Sequence, residues 1–159
     1  MKKSIVLALA VLIVACVTGC VLKQNKINMD QLAEDNNYHY RNKDLGFSLV
    51  LPVEFKYFQT QRKETDDYID LEVYIPTSDR SCQQLVPGYA RVITVRIFND
   101  KDWQSILKSL GDNRIFYEID KKGKNIYTVE FWSEAPFDWQ NKWSKDMEEK
   151  IKANFNLID

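Results

Sequence analysis

Ile69-Asp70-Leu71-Glu72-Val73-Tyr74-Ile75 decides the fold class. Apolar residues hold every odd position and polar or amphipathic ones every even position, the period-two signature of a strand with one face on a core. Phe47, Leu49 and Leu51 repeat the pattern upstream. Downstream, Ala90 to Phe98 forms a β-branched run in which Ile93, Val95 and Ile97 oppose Val92, Thr94 and Arg96. Both sides of that run are fairly apolar, which predicts a central strand. A shorter strand is expected from Phe55 to Thr60, followed by a charged turn over Gln61 to Asp67.

The period changes at Asn99-Asp100-Lys101-Asp102, where a capping residue and early acids precede Trp103, Ile106, Leu107 and Leu110 at helical spacing, with Gly111 to stop them. Arg114 to Asp120 and Asn125 to Trp132 then read as a hairpin across Lys121-Lys122-Gly123-Lys124, whose glycine supplies the positive φ a tight turn needs. A last element starting near Pro136 or Asp138 sets Trp139, Trp143, Met147 and Ile151 four apart and predicts a long closing helix. Together these elements predict an α+β domain, an antiparallel β-sheet with helices packed on it.

Before the domain lies a leader. In MKKSIVLALAVLIVACVTGC, Lys2 and Lys3 precede an apolar run from Ile5 to Val17. At about 13 residues the run falls short of the roughly 20 that span a bilayer, so it reads as a cleaved export signal. Val17-Thr18-Gly19-Cys20 resembles the bacterial lipobox, in which the cysteine is acylated and begins the mature chain. Ile13-Val14-Ala15-Cys16 also fits that pattern. Cys20 is favoured, because cutting before Cys16 leaves Val17 to Leu22 as an apolar tail. Acyl chains of the palmitate class add about 0.8 kcal/mol per buried methylene, and two or more hold a protein stably. The expected location is the cell envelope, on the outer face of the cytoplasmic membrane or in the outer membrane. Val21, rather than an aspartate, follows Cys20 and favours the outer membrane in a two-membrane bacterium.

The expected organisation is therefore a signal peptide over 1–19, a lipidated N-terminus and flexible tether over 20–37, and one globular domain over 38–159. Treated as coil, the tether spans on the order of 20–25 Å. The chain has 159 residues, 45% of them apolar and 13% aromatic, which suits a single folded domain. Of its 22 basic residues Lys2 and Lys3 lie in the leader, leaving 20 against 23 acidic ones. That balance offers nucleic acid no basic field. With Cys16 discarded and Cys20 acylated, Cys82 has no internal disulfide partner.

Little material for catalysis is present. The sequence lacks a phosphate-binding glycine loop, Cys-x-x-Cys, His-Glu-x-x-His and Gly-x-Ser-x-Gly. His39 has neither a second histidine nor an evident acid beside it. Glu64, Asp66, Asp67 and Asp70 gather around one turn, but without the glycine and bidentate acid of a calcium loop. No metal, no cofactor and no enzymatic activity are expected. Lys121, Lys122 and Lys124 form a basic hairpin tip. Trp139 and Trp143 share the face of Met147 and Ile151 and belong to the core, whereas Trp132 and Phe137 are less constrained and are the candidate binding residues.

The segment Tyr40-Arg41-Asn42-Lys43-Asp44-Leu45-Gly46-Phe47-Ser48-Leu49-Val50-Leu51-Pro52 resembles the opening hairpin of PsbP-like domains, of the Mog1/PsbP-like fold. The order of elements over about 38–158 is similar to that family's. The chain departs from the pattern at Leu45, where an aromatic residue often stands, and at Phe55, where a tryptophan often follows the proline. The resemblance implies an α/β sandwich acting as an accessory or protein-binding module, and carries over no catalytic or metal-binding residue. The expected function is that of a membrane-anchored lipoprotein whose non-enzymatic head contacts an envelope protein. The alternative is a lipoprotein that binds a small envelope ligand such as a sugar or lipid.

Overall fold

A computed structural model of the chain describes residues 32–83, 86–110 and 115–159. The leader, Cys16, Cys20, Gly111 and most of the tether lie outside the described residues. Among the described residues, two antiparallel sheets and two α-helices make a mixed α+β fold that is mostly sheet. The smaller sheet has the order β1-β2-β8, formed by Asn37–Asn42, Phe47–Pro52 and Asn156–Leu157. The larger has the order β3-β4-β5-β7-β6: Gln59–Glu64, Tyr68–Pro76, Tyr89–Asn99, Asn125–Phe131 and Tyr117–Lys122. The helices are α1, Asp100–Leu110, and α2, Lys145–Ala153.

The odd positions of β4 and Ile93, Val95 and Ile97 of β5, with Tyr127 and Val129 of β7, face the small sheet and build the main core with Tyr38, Tyr40, Phe47, Leu49 and Leu51. Ile151 of α2 and Phe155 join it, Phe155 stacking on Phe47 at 5.3 Å. The β1–β2 turn is set by local chemistry. The Asn42 Oδ1 accepts the Leu45 N–H at 3.0 Å, and Gly46 takes φ +73°, a left-handed value that L side chains rarely adopt. A Cβ there would also meet the Tyr127 hydroxyl at 3.5 Å, and that hydroxyl donates to the Leu45 carbonyl. Gly123, φ +61°, serves the β6–β7 hairpin in the same way, in a turn of only two residues because Lys121 and Lys122 continue β6. Asn99 caps α1 as expected, its Oδ1 accepting the Asp102 N–H at 3.0 Å.

Three expectations need correction. First, Phe55 lies in a 3-10 turn over Val53–Phe55, and β3 runs from Gln59 to Glu64 through what the sequence suggested was a turn. Its polar side chains suit an edge strand, since hydrogen bonding to β4 needs only backbone. Second, the closing helix starts at Lys145 rather than Pro136 or Asp138. Ser144 is extended (φ −147°, ψ 160°) and its hydroxyl accepts the Met147 N–H at 3.2 Å, so the helix begins there. Trp139 and Trp143 belong to a preceding run of turns; their spacing of four is produced by the Trp143 N–H donating to the Trp139 carbonyl at 2.9 Å. Third, β4 is buried on both faces: Asp70 is 3% exposed and Glu72 1%.

Phe55, fully buried, ties the β2–β3 corner to the core, its ring edge-on to Trp139 at 5.9 Å and tilted against Trp143 at 6.3 Å. Phe55→Ala is expected to cost about 3–5 kcal/mol in urea unfolding, through lost contacts and an unfilled cavity; a cost below about 1 kcal/mol would show that the corner does not bear on the core.

Candidate functional site: a charged groove on the outer face of the large sheet

The even positions of β4 place Asp70, Glu72 and Tyr74 on the face turned away from the small sheet. Their register partners across β5 are Arg96, Thr94 and Arg91. Arg91 reaches this face through a β-bulge: Val73 opposes Ile93 while Tyr74 opposes Arg91, so Val92 is an extra residue. Were the ladder to run regularly through Val92, Arg91 would oppose Ile75 and point into the core. Beyond β5, Glu130 of β7 opposes Thr94 and Thr128 opposes Arg96.

The buried acids are saturated by these neighbours. Arg96 donates from Nε and Nη2 to the two oxygens of Asp70, both at 2.6 Å, a bidentate geometry that suits a planar guanidinium. Its Cζ stacks 3.7 Å from the Tyr68 ring and 4.5 Å from that of Phe116. Phe116 belongs, with Phe98, Trp103 and Ile126, to a small core that seats α1 over this end of the face. Glu72 accepts from the Tyr74 hydroxyl (2.7 Å), Lys63 Nζ (2.6 Å) and Arg91 Nη1 (2.7 Å). Burial pushes the Glu72 carboxyl up, but those three donors outweigh it and hold the group below its ordinary value. The Tyr74 phenol is pushed far up, by burial and then by its bond to Glu72.

Glu130 differs. No ion pair of its carboxylate is found among the described residues. Burial raises it above the ordinary carboxylate value, while the fields of Arg91 and Arg96 pull it back only in part. Glu130 lines a hollow of about 210 Å³ with Arg91, Thr94, Trp132, Ser133 and Glu134. A second hollow of about 240 Å³ shares Arg91, Trp132 and Glu134 and adds Tyr74, Tyr89, Ser81 and Cys82. The Trp132 Nε1 is buried without a hydrogen-bond partner, although its ring packs edge-on to Trp139 and Trp143. The two hollows make one open groove that offers donors from Arg91 and acceptors from Glu130 and Glu134. It lies beyond the area covered by α1.

No known protein family, no curated protein and no solved structure matches this chain. The groove's own chemistry is therefore what bears on function.

Of the two candidate binding residues, Trp132 lines both hollows and Phe137 lines neither; Phe137 is 60% exposed on a separate loop. The arginines and glutamates of the groove were not singled out from the sequence; Thr94 and Arg96 alternate opposite Glu72 and Asp70, but Arg91 reaches the same face only through the bulge and carried no such signal. His39 does have an acid: its Nε2 lies 2.9 Å from Asp35 Oδ2 on the surface, and that bond is the main cause holding the Asp35 carboxyl below its ordinary value. The acids around Thr65 are divided. Glu64, Asp66 and Asp67 line a third hollow of about 330 Å³, at the other end of the molecule, while Asp70 is committed to Arg96. Among the described residues no three such side chains are grouped to hold a metal ion. The lysine tip is engaged within the chain, Lys121 with Asp100 and Lys122 with Asp159. Cys82 is half-buried in a 3-10 turn, its sulfur 3.7 Å from Ser81 Oγ.

The raised Glu130 carboxyl has a pH signature. Ionising it in the fold is unfavourable relative to the unfolded chain, so a destabilisation absent at low pH sets in as pH rises past the ordinary carboxylate value and is complete above the raised one. Glu130→Gln is expected to raise Tm by a few degrees at pH 7 and to leave it nearly unchanged at pH 3, measured by thermal unfolding across that range. A lower Tm at pH 7 would mean that the ionised carboxylate is stabilising where it stands.

Proposed function

We propose that this protein is a lipid-anchored bacterial envelope lipoprotein, held through Cys20, whose head is a non-enzymatic protein-binding module. The observation that carries the reading is the groove around Arg91, Glu130 and Trp132. Arg91 is positioned by the buried Glu72, and the groove is open and partly polar, unlike the enclosed, mostly apolar clefts usual for small-molecule sites. Such a surface suits the side chains and backbone of a partner segment, which supplies both donors and acceptors. Reading the head as PsbP-like is supported by the β1–β2 hairpin with Asn42 and Gly46 in its turn. Among the described residues no helix is long and apolar enough to cross a membrane; acylation supplies the anchor in this reading. One observation favours binding of a small envelope ligand such as a sugar instead: the unpartnered indole N–H of Trp132, beside an aromatic ring.

Photo-crosslinking in cells separates these readings. A photoreactive residue at Glu134, in the full-length anchored protein, is expected to trap one dominant envelope protein, and the same residue at Lys108 on α1 to trap none. Equal trapping at both positions, or none at Glu134, would overturn the groove as a protein-binding surface. In the same cells Cys20→Ala is expected to abolish acyl labelling and release the protein from the membrane fraction; retention there would refute the anchor.

A further inference from the structure

The end of the head at which the chain emerges carries an unusual set of exposed apolar side chains. Asn37, the first residue of β1, pairs with Pro52, the last of β2, so the segment leading in from the N-terminus lies beside the β2–β3 corner. In that corner Val53 is 44% exposed and Tyr57 58%, and Leu32, on the incoming segment, is 40% exposed. Phe137 belongs to the same end. It stands two residues before Trp139, whose ring packs on Phe55 of the corner and whose indole N–H donates to the Pro76 carbonyl at 3.0 Å, at the end of β4. The other two large exposed apolar residues among those described, Ile115 and Tyr117, lie at the start of β6, on the opposite edge of the large sheet.

Two of these side chains are held outward at a cost or by a clamp. Tyr57 has φ +64°, the left-handed region, which is strained for a residue with a side chain and which glycine would adopt freely. Strain of this kind at an exposed aromatic residue points to a use for the ring. Phe137 is fixed by its backbone N–H donating to Asp79 Oδ2 at 3.1 Å, while the neighbouring Asp138 accepts from the Thr77 hydroxyl and from Ser78. Lysines flank the aromatic rings: Lys56 Nζ lies 4.9 Å from the Tyr57 ring centroid and Lys142 Nζ 5.2 Å from that of Trp139. Glu54 is the acid of the corner. Aromatic residues next to lysines whose stems can lie along apolar surface are the side chains that settle at a bilayer–water boundary.

We infer that Val53, Tyr57 and Phe137 form a membrane-resting face, seated in the interfacial layer of the bilayer to which the chain is anchored. The inference rests on the lipid-anchored reading above. Eleven residues separate Cys20 from Leu32, and a coil of that length spans on the order of 20 Å. A head so tethered meets the bilayer at high effective concentration, so even a weak apolar contact is populated.

The test uses the full-length acylated protein in vesicles of phosphatidylethanolamine and phosphatidylglycerol, with Cys82→Ser to clear the endogenous thiol. Spin labels are placed singly at Glu54→Cys, Gln140→Cys and, as a control, Lys108→Cys. Collision with oxygen, which concentrates in lipid, is compared with collision with a water-soluble nickel chelate. The labels at 54 and 140 are expected to show an oxygen-to-nickel ratio several-fold above that at 108. In the Tyr57→Gly/Phe137→Ser background, which relieves strain and alters only exposed rings, the ratio is expected to fall to the control value. Protein that floats with the vesicles but shows equal ratios at all three positions would overturn the resting face and leave the anchor standing. Ratios that stay high in the double variant would overturn the assignment of these residues. Protein that does not float would overturn the anchor, and the resting face with it.

Discussion

The outer face of the large sheet depends on the burial of two carboxylates, Asp70 and Glu72. An ionised acid withdrawn from water is costly unless every lone pair is met. Here the requirement is satisfied by Arg96 for the first and by Lys63, Arg91 and Tyr74 for the second. Those four partners come from β3, β4 and β5, so the register of three strands is fixed by charge as well as by the apolar core on the other face. A slip of one residue would bury lysine and arginine against Leu71 and Val73 while exposing the core residues. Removing Arg96 alone leaves the buried Asp70 charge unmatched, a loss of about 3–5 kcal/mol, whereas Glu72 keeps two donors when it loses one. The groove is tied to this arrangement: Arg91, held at one of its nitrogens by Glu72, lines both hollows.

Much of the fold was legible in the sequence because its determinants are local. Phe47, Leu49 and Leu51 alternate because β2 has one buried face; Asn99 announces α1 because its side chain closes the first turn. The unread parts depend on partners far along the chain. The polar positions of β4 read as solvent-facing, and only Arg91 and Arg96, 19 and 26 residues away, reveal that they are covered. β3 has no apolar alternation, being an edge strand recruited by backbone pairing with β4. The spacing of Trp139, Trp143, Met147 and Ile151 mimicked one helix because two different structures, a run of turns and α2, are joined at the Ser144 cap.

The candidate site was less legible than the fold. Trp132 stands out in the sequence because tryptophan is rare and large, and it does line the groove. Phe137 stands out equally and lies elsewhere, because exposure, which distinguishes the two, is set by Asp79 and Asp138 gripping the loop rather than by the phenylalanine itself. Glu130 is one acid among 23 acidic residues. Its distinction, partial burial in the fields of two arginines already engaged by other acids, exists only in three dimensions.

The bulge at Val92 also governs how the chain tolerates gain and loss of residues. Period two makes a strand sensitive to single insertions, and β5 already carries one. Deleting Val92 would regularise the ladder and leave Arg91 opposite Tyr74 and Ala90 opposite Ile75, each on the face it has now. A homologous chain lacking that residue would keep its cation in the groove at the same pairing partner, so a gap at position 92 in an alignment leaves the chemistry of its neighbours intact.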